Sequence, residues 1–293
     1  MFDCLQSRTL TTAMGEVAYV TNEFSTTPYA RPPLFFWHGF GGGSSRYEWS
    51  AVYPAFAAAY PLFALDLPGW GVSEHRDQSY TVAAYVDHLL ECLGQLTAEP
   101  AVVITSSLTA AFAIQGAIAH PQRFCGLILT CPTGLSDFGQ DYRQTPLAQI
   151  ARQPYVDIAF YRLGVANVLS VQSFMANQQF ARPSRISPEM VATYTEVAQS
   201  AGAEFAALAF VRGDLCCDLS RFLPHLTVPT YIVWGEQAKL PPVAVGQRLA
   251  QLNPDAIRAF DVMPGVGLTP QLECPAVMIG WIDRYLGQLL ASP

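Results

Sequence analysis

The run Ala101-Val102-Val103-Ile104-Thr105-Ser106-Ser107-Leu108-Thr109-Ala110-Ala111-Phe112-Ala113-Ile114-Gln115-Gly116-Ala117-Ile118-Ala119 decides the fold. It lies in the longest charge-free stretch of the chain, from Pro100 to Gln122. Its first part is β-branched and short, as a buried strand is. Its second part is rich in alanine and long enough for a helix. The polar pair Ser106-Ser107 sits at the junction. Thr105, Thr109, Gln115 and His120 interrupt the apolar character, so the stretch reads as a buried strand followed by a buried helix and not as a membrane span.

The rest of the chain agrees. Of 293 residues, 51% are hydrophobic and only 13% charged, with a net charge of −7. That composition excludes a disordered chain and a coiled coil. No stripe of Lys and Arg exists, so nucleic acid is not expected as a partner. Met1 to Leu10 lacks a basic stretch followed by an apolar one, and no signal peptide or transmembrane segment is expected. The seven cysteines (Cys4, Cys92, Cys125, Cys131, Cys216, Cys217 and Cys274) show no framework spacing. They read as reduced thiols in a cytoplasmic, reducing compartment, with packing as the role of the adjacent Cys216 and Cys217. No Cys/His spacing suggests a metal site, and no cofactor is expected.

Outward from the junction, uncharged strands alternate with helices. Strands are expected at Glu16–Val20, Pro33–Trp37, Leu62–Leu67, Ala101–Thr105, Phe124–Thr130, Thr230–Trp234 and Ala256–Val262. Helices are expected at Tyr47–Ala59, Tyr80–Leu96, Leu108–Ala119, Pro241–Leu252 and Val277–Leu290. This alternation means a parallel sheet covered on both faces, an α/β architecture. It breaks between Gly134 and Leu219, where helical spacing at Leu147–Ala166 and Pro188–Val211 suggests an inserted helical cap. The expected division is a core of residues 1–133 and 220–293 with a cap of residues 134–219. Ligands of open α/β sheets bind beyond the carboxyl ends of the strands, where such an insertion would roof a pocket.

Three strings stand at strand ends: Trp37-His38-Gly39-Phe40-Gly41-Gly42-Gly43-Ser44-Ser45, Asp66-Leu67-Pro68-Gly69-Trp70-Gly71-Val72-Ser73, and Thr105-Ser106-Ser107-Leu108-Thr109-Ala110. Two more follow, Pro229-Thr230-Tyr231-Ile232-Val233-Trp234-Gly235-Glu236 and Gly267-Leu268-Thr269-Pro270-Gln271-Leu272-Glu273-Cys274-Pro275. In this order and spacing they resemble the α/β-hydrolase family, over nearly the whole chain except the cap. The resemblance implies a mostly parallel sheet of about eight strands, one of them antiparallel near the amino terminus. It makes Ser107 the nucleophile of a strand–turn–helix elbow and the backbone N–H groups of Leu108 and Phe40 the oxyanion donors, with His38 and Gly39 shaping that loop. His38 reads as orienting the loop rather than as a catalytic group. Thr105 and Thr109 occupy positions where the family's elbow has glycines.

The resemblance also shows what is missing. A serine hydroxyl needs an adjacent base, and the base an orienting acid. The family's acid position falls on Ala238 and its base position on Leu268. Among the five histidines, His75 could face the pocket rim and is the remaining candidate base. Asp137, just past a strand end, is a thin substitute acid, Asp66 reads as bracing its loop, and Glu236 and Glu273 match positions that are not catalytic in the family. The expectation is therefore a subgroup with a degenerate triad. It would be a pseudoenzyme-like protein with an apolar pocket, floored in part by Ala238 and Leu268, that binds a small apolar molecule such as an ester and hydrolyses it weakly or not at all. The family contains such receptors, the gibberellin-receptor group among them. The competing expectation is a hydrolase, lyase or acyltransferase that uses Ser107 with a non-standard base. A vestigial scaffold for protein interactions is the third.

Overall fold

The computed structural model describes residues 5–22, 30–153 and 156–291. Eight strands form one sheet in the order β1-β2-β4-β3-β5-β6-β7-β8. They are β1 Leu5–Thr12, β2 Gly15–Asn22, β3 Leu34–Trp37, β4 Leu62–Leu65, β5 Ala101–Ser106, β6 Phe124–Thr130, β7 Thr230–Gly235 and β8 Ile257–Met263. Only β2 runs against its neighbours, β1 and β4; all other pairs are parallel. The chain thus has the mostly parallel α/β architecture that the sequence implies. β1 carries too much polar, exposed sequence to show as a strand by hydropathy, and it is the edge strand.

β3 and β4 are apolar at every position, and β5, β6 and β7 are buried almost throughout, because both faces of the sheet are covered. Phe35 and Trp37 point into one apolar cluster, and Leu34 and Phe36 into the other. Val103 and Ile104 divide in the same way. Helices α1 Val82–Leu96 and α2 Ser107–Ala119 pack on the first face, and the last helix on the second. Thr81 caps α1 by accepting a hydrogen bond from the Ala84 N–H at 3.1 Å. α2 needs no polar stripe, since nine of its thirteen residues are buried.

Between β6 and β7 the chain forms α3 Pro146–Ala151, α4 Val156–Phe160, α5 Val168–Phe174, α6 Pro188–Ala198 and α7 Ala203–Val211. The carboxyl-terminal part adds α8 Leu219–Phe222, α9 Val243–Ala250, α10 Pro270–Glu273 and α11 Pro275–Ala291. The two ends of the inserted segment meet where Leu135 bridges Cys217. The buried Asp137 carboxylate joins them, accepting from the N–H groups of Gly134 and Leu219 and from the Thr133 hydroxyl. Burial still raises its ionisation above the ordinary range.

Three helices expected from sequence are corrected. Tyr47–Ala59 is not one helix but two 3-10 turns, Arg46–Trp49 and Tyr53–Phe56, because Pro54 supplies no N–H to a continuing helix. Leu147–Ala166 breaks into α3, α4 and a π-helical turn at Tyr161–Val165, with residues 154 and 155 outside the described set. Pro188–Val211 breaks at Gly202, whose φ of 81° suits glycine and starts α7. Cys4 also lies outside the described residues. Among those described, no helix is long and apolar enough to cross a membrane.

One core histidine makes stability depend on pH. His88 on α1 is buried with its Nε2 3.4 Å from the Cys92 thiol, and burial lowers its ionisation to about 3. Between about pH 6.5 and that value the unfolded chain binds a proton that the folded chain refuses. Stability should therefore fall as pH drops through this window, by up to ~1.4 kcal/mol per pH unit for this one group. Urea titrations of wild type and His88→Leu should diverge below pH 6.5, with the variant losing less. Parallel pH profiles would refute the assignment.

Candidate functional site

The parallel strands end along one edge, and the site is built from the loops that leave it. β5 closes at Ser106, and α2 opens at Ser107. Reversing from a buried strand into a buried helix within one residue forces Ser107 into the left-handed region, with φ of 54°. A non-glycine residue there carries on the order of 1–3 kcal/mol of strain. The side chain is half-exposed while its neighbours are buried. Leu108 follows as the first fully buried residue of α2.

The loop after β3 lies against this elbow. A Cβ on Gly39 would stand 2.9 Å from Ser106 Oγ and 3.1 Å from Ser107 Cβ, so only glycine permits the approach. Phe40 turns its ring into an aromatic cluster, edge-on to Trp70 at 5.0 Å, Tyr85 at 5.2 Å and Phe112 at 5.7 Å. Thr109 donates from its hydroxyl to the His38 carbonyl at 2.6 Å, tying the elbow helix to the loop. A glycine at that position could not make this bond. Thr105, the other departure, is buried and its hydroxyl has no partner.

Both ring nitrogens of His38 are committed to backbone. Nε2 accepts from the Leu67 N–H at 3.0 Å, and Nδ1 donates to the Gly39 carbonyl at 2.7 Å. The ring orients the loop and has no free nitrogen for Ser107. His75 Nε2 donates to the Gly71 carbonyl at 3.2 Å, and its Cβ and carbonyl pack on Gly202. Burial lowers its ionisation, against the pull of Asp66 and Glu204. None of these contacts involves Ser107. His88 is in the core, while His120 and His225 are exposed at helix ends. Asp66 accepts from the N–H groups of Arg46 and Val72 and pairs with the Arg46 guanidinium, which braces its loop.

Ala238 is buried, and its N–H bonds the Gly235 carbonyl at 3.1 Å. Leu268 packs against the first apolar cluster, and its N–H bonds the Gln179 carbonyl of the inserted segment at 2.7 Å. Neither side chain can move a proton. Glu273 staples the same region: it accepts from the N–H groups of Gly267, Ala181 and Arg182 and pairs with Arg185 at 3.1 Å. The inserted segment also presses on the loop after β3. A Cβ on Gly43 would stand 2.1 Å from the Tyr194 carbonyl oxygen and one on Gly42 2.8 Å from Val165 Cγ1, while at Gly41 the Phe174 ring comes only into ordinary contact. The thiols of Cys216 and Cys217 are pushed up by burial, to about 11 and about 12.

The sequence reading missed Glu48. Its carboxylate is 2% exposed, beside the elbow. Oε2 accepts from the Gly39 N–H at 2.9 Å, the Ser106 hydroxyl at 3.2 Å and the Gln271 Nε2 at 3.3 Å. Thr130 donates to Gln271 Oε1 and so fixes which end of that amide faces the carboxylate. Tyr194 of α6 lies nearby. Its ionisation is raised far above the ordinary range, first by burial and then by the Glu48 charge. No local signal marked it: the helical face that Glu48 would share with Val52 and Phe56 does not form, because the run is two separate 3-10 turns.

The comparisons with known proteins agree with this construction. The model of the alpha/beta hydrolase family matches residues 34–281. An uncharacterized hydrolase of Bacillus subtilis, YugF, is 27% identical over 226 residues, 75% of this chain and 78% of that protein. The 2-hydroxy-6-oxo-6-(2'-aminophenyl)hexa-2,4-dienoic acid hydrolase of Metapseudomonas resinovorans is 25% identical over 232 residues, 76% of this chain and 74% of that protein. Among solved structures, a thermophilic esterase from Thermogutta terrifontis superposes with a TM-score of 0.76 at 21% identity, covering 97% of this chain and 99% of that one. Fold, elbow and family match together assign the chain to the alpha/beta hydrolase family.

Proposed function

We propose that this member of the family binds a small, largely apolar molecule beside Ser107, an ester or acyl compound by class, and hydrolyses it weakly or not at all. The observation that carries this reading is the elbow, where Ser107 has a φ of 54°, taken with a sequence resemblance that puts Ala238 and Leu268 at the family's acid and base positions. Removing the relay from a serine hydrolase leaves only ~10³–10⁴ over water, from the oxyanion donors and binding. The helical segment 134–219 is the lid of this site in our reading. Its contacts with Gly41, Gly42 and Gly43 support that role. The free thiols of Cys92, Cys125, Cys131, Cys216, Cys217 and Cys274 support a cytoplasmic, reducing setting.

Hydrolysis through a non-standard base is the second reading, favoured by relatives that are named hydrolases. A fluorophosphonate probe separates the two. Under the binding reading, Ser107 reacts no faster than the same residue in denatured protein. Rapid stoichiometric labelling that Ser107→Ala abolishes would establish an activated serine and overturn the proposal. His75→Ala and His38→Ala would then follow, since loss of a base slows labelling.

A further inference from the structure

On the reading of the Ser107 site as a binding site, we propose that Glu48 sets its ligand class. The site takes neutral or cationic molecules that present a hydrogen-bond donor, and it rejects carboxylates and other anions. The carboxylate is buried, and among the described residues no Lys, Arg or His forms an ion pair with it. Oε2 accepts from the Gly39 N–H, the Ser106 hydroxyl and the Gln271 amide, all neutral, and the Tyr194 hydroxyl beside the carboxylate is neutral too. The charge is therefore held but not cancelled.

Its place relative to the nucleophile is fixed by Gly39. The point where a Gly39 Cβ would stand is 3.6 Å from Glu48 Oε2 and 3.1 Å from Ser107 Cβ. A ligand atom at Ser107 thus lies close to a buried carboxylate that no cation neutralises, and feels its field even where solvent screens it in part. An anion there meets like charge, whereas a hydroxyl or amine meets acceptors. The buried Tyr194 hydroxyl, from the inserted segment, stands beside both Glu48 and Gln179 and brings no positive charge. The dienoic acid hydrolase among the relatives is named for an acid. Glu48 argues that this chain does not share that class.

The test places a thiol at the site with Ser107→Cys and alkylates it with two reagents of similar size, neutral iodoacetamide and anionic iodoacetate. In each case the same thiolate attacks the reagent's methylene carbon, forming one S–C bond and breaking the C–I bond to release iodide, so the thiolate fraction cancels in the ratio of rates. Rates are read at the labelled peptide by mass spectrometry, with 2-mercaptoethanol as the free thiol. The iodoacetamide-to-iodoacetate ratio should exceed that of the free thiol by roughly tenfold, as a like charge at this range requires even under partial solvent screening. Adding Glu48→Gln should return the ratio toward the free-thiol value, and adding Glu48→Asp should preserve most of it. If the Gln variant does not fold by circular dichroism, the Ser107→Cys ratio against the free thiol decides alone. A ratio equal to the free thiol, or one that a folded Gln variant leaves unchanged, would overturn the assignment and leave the binding reading standing. A thiol that neither reagent reaches would overturn both.

Discussion

Gly235→Ala should destabilise the protein by about 3–5 kcal/mol, the range of severe overpacking in a core. A Cβ at this position would stand 1.8 Å from the Gly267 carbonyl oxygen and 2.7 Å from that of Val266. Both obstacles are backbone, so no rotamer change relieves them. Nor can the opposing loop retreat easily. The Gly267 N–H is held by Glu273 at 2.7 Å, and the Leu268 N–H by the Gln179 carbonyl at the same distance. A control is available on α11, where a Cβ at Gly280 would meet nothing within 4 Å. Gly280→Ala in that helix should be neutral or stabilising by up to about 1 kcal/mol. Thermal unfolding checks both. A Gly235→Ala variant melting within 2 °C of wild type, an order-of-magnitude threshold of roughly 1 kcal/mol, would show that the loop yields and that the close approach is not a constraint.

The second large effect concerns chemistry. Ala238→Asp and Leu268→His, introduced together, should raise hydrolysis of a small activated ester by on the order of 10²-fold over wild type, the lower end of what general-base catalysis supplies. Either change alone should do little. A histidine without its acid is unoriented, an acid without the histidine completes nothing, and residues that act as a unit are not additive. The elbow is ready for them: Ser107 has its strained φ, and Thr109 holds the His38 carbonyl. The Glu48 charge opposes an oxyanion at the same place, so adding Glu48→Gln to the pair should raise the rate further. The paired change should also cost stability, because two polar groups enter a packed region. A folded paired variant with no gain would mean that the inserted segment closes the site. A wild type as fast as the paired variant would refute the missing relay.

Much of this was written in the chain itself. Uncharged β-branched runs such as Val102–Ile104 stated a sheet covered on both faces, and α2 follows directly from its alanines. The elbow was legible because a strand, a polar pair and a helix fall in immediate succession; the proposal that Ala238 and Leu268 hold the acid and base positions rests on neighbours that match the family. Local sequence was less able to place breaks that depend on packing. Pro54 and Gly202 open new helical turns inside runs whose apolar spacing continues through them. Glu48 was beyond its reach for a different reason. Its meaning comes from donors at Gly39, Ser106 and Gln271, of which the last is 223 residues away. A charged residue looks like surface until the fold supplies those partners, and the energetic cost of burying it makes the partners decisive. Tertiary structure alone also fixed His38, since its two ring nitrogens are spent on backbone groups of Leu67 and Gly39. Short-range patterns determine strands, helices and turns because those depend on local sterics and hydropathy. Which buried polar group faces which is settled only when distant segments meet.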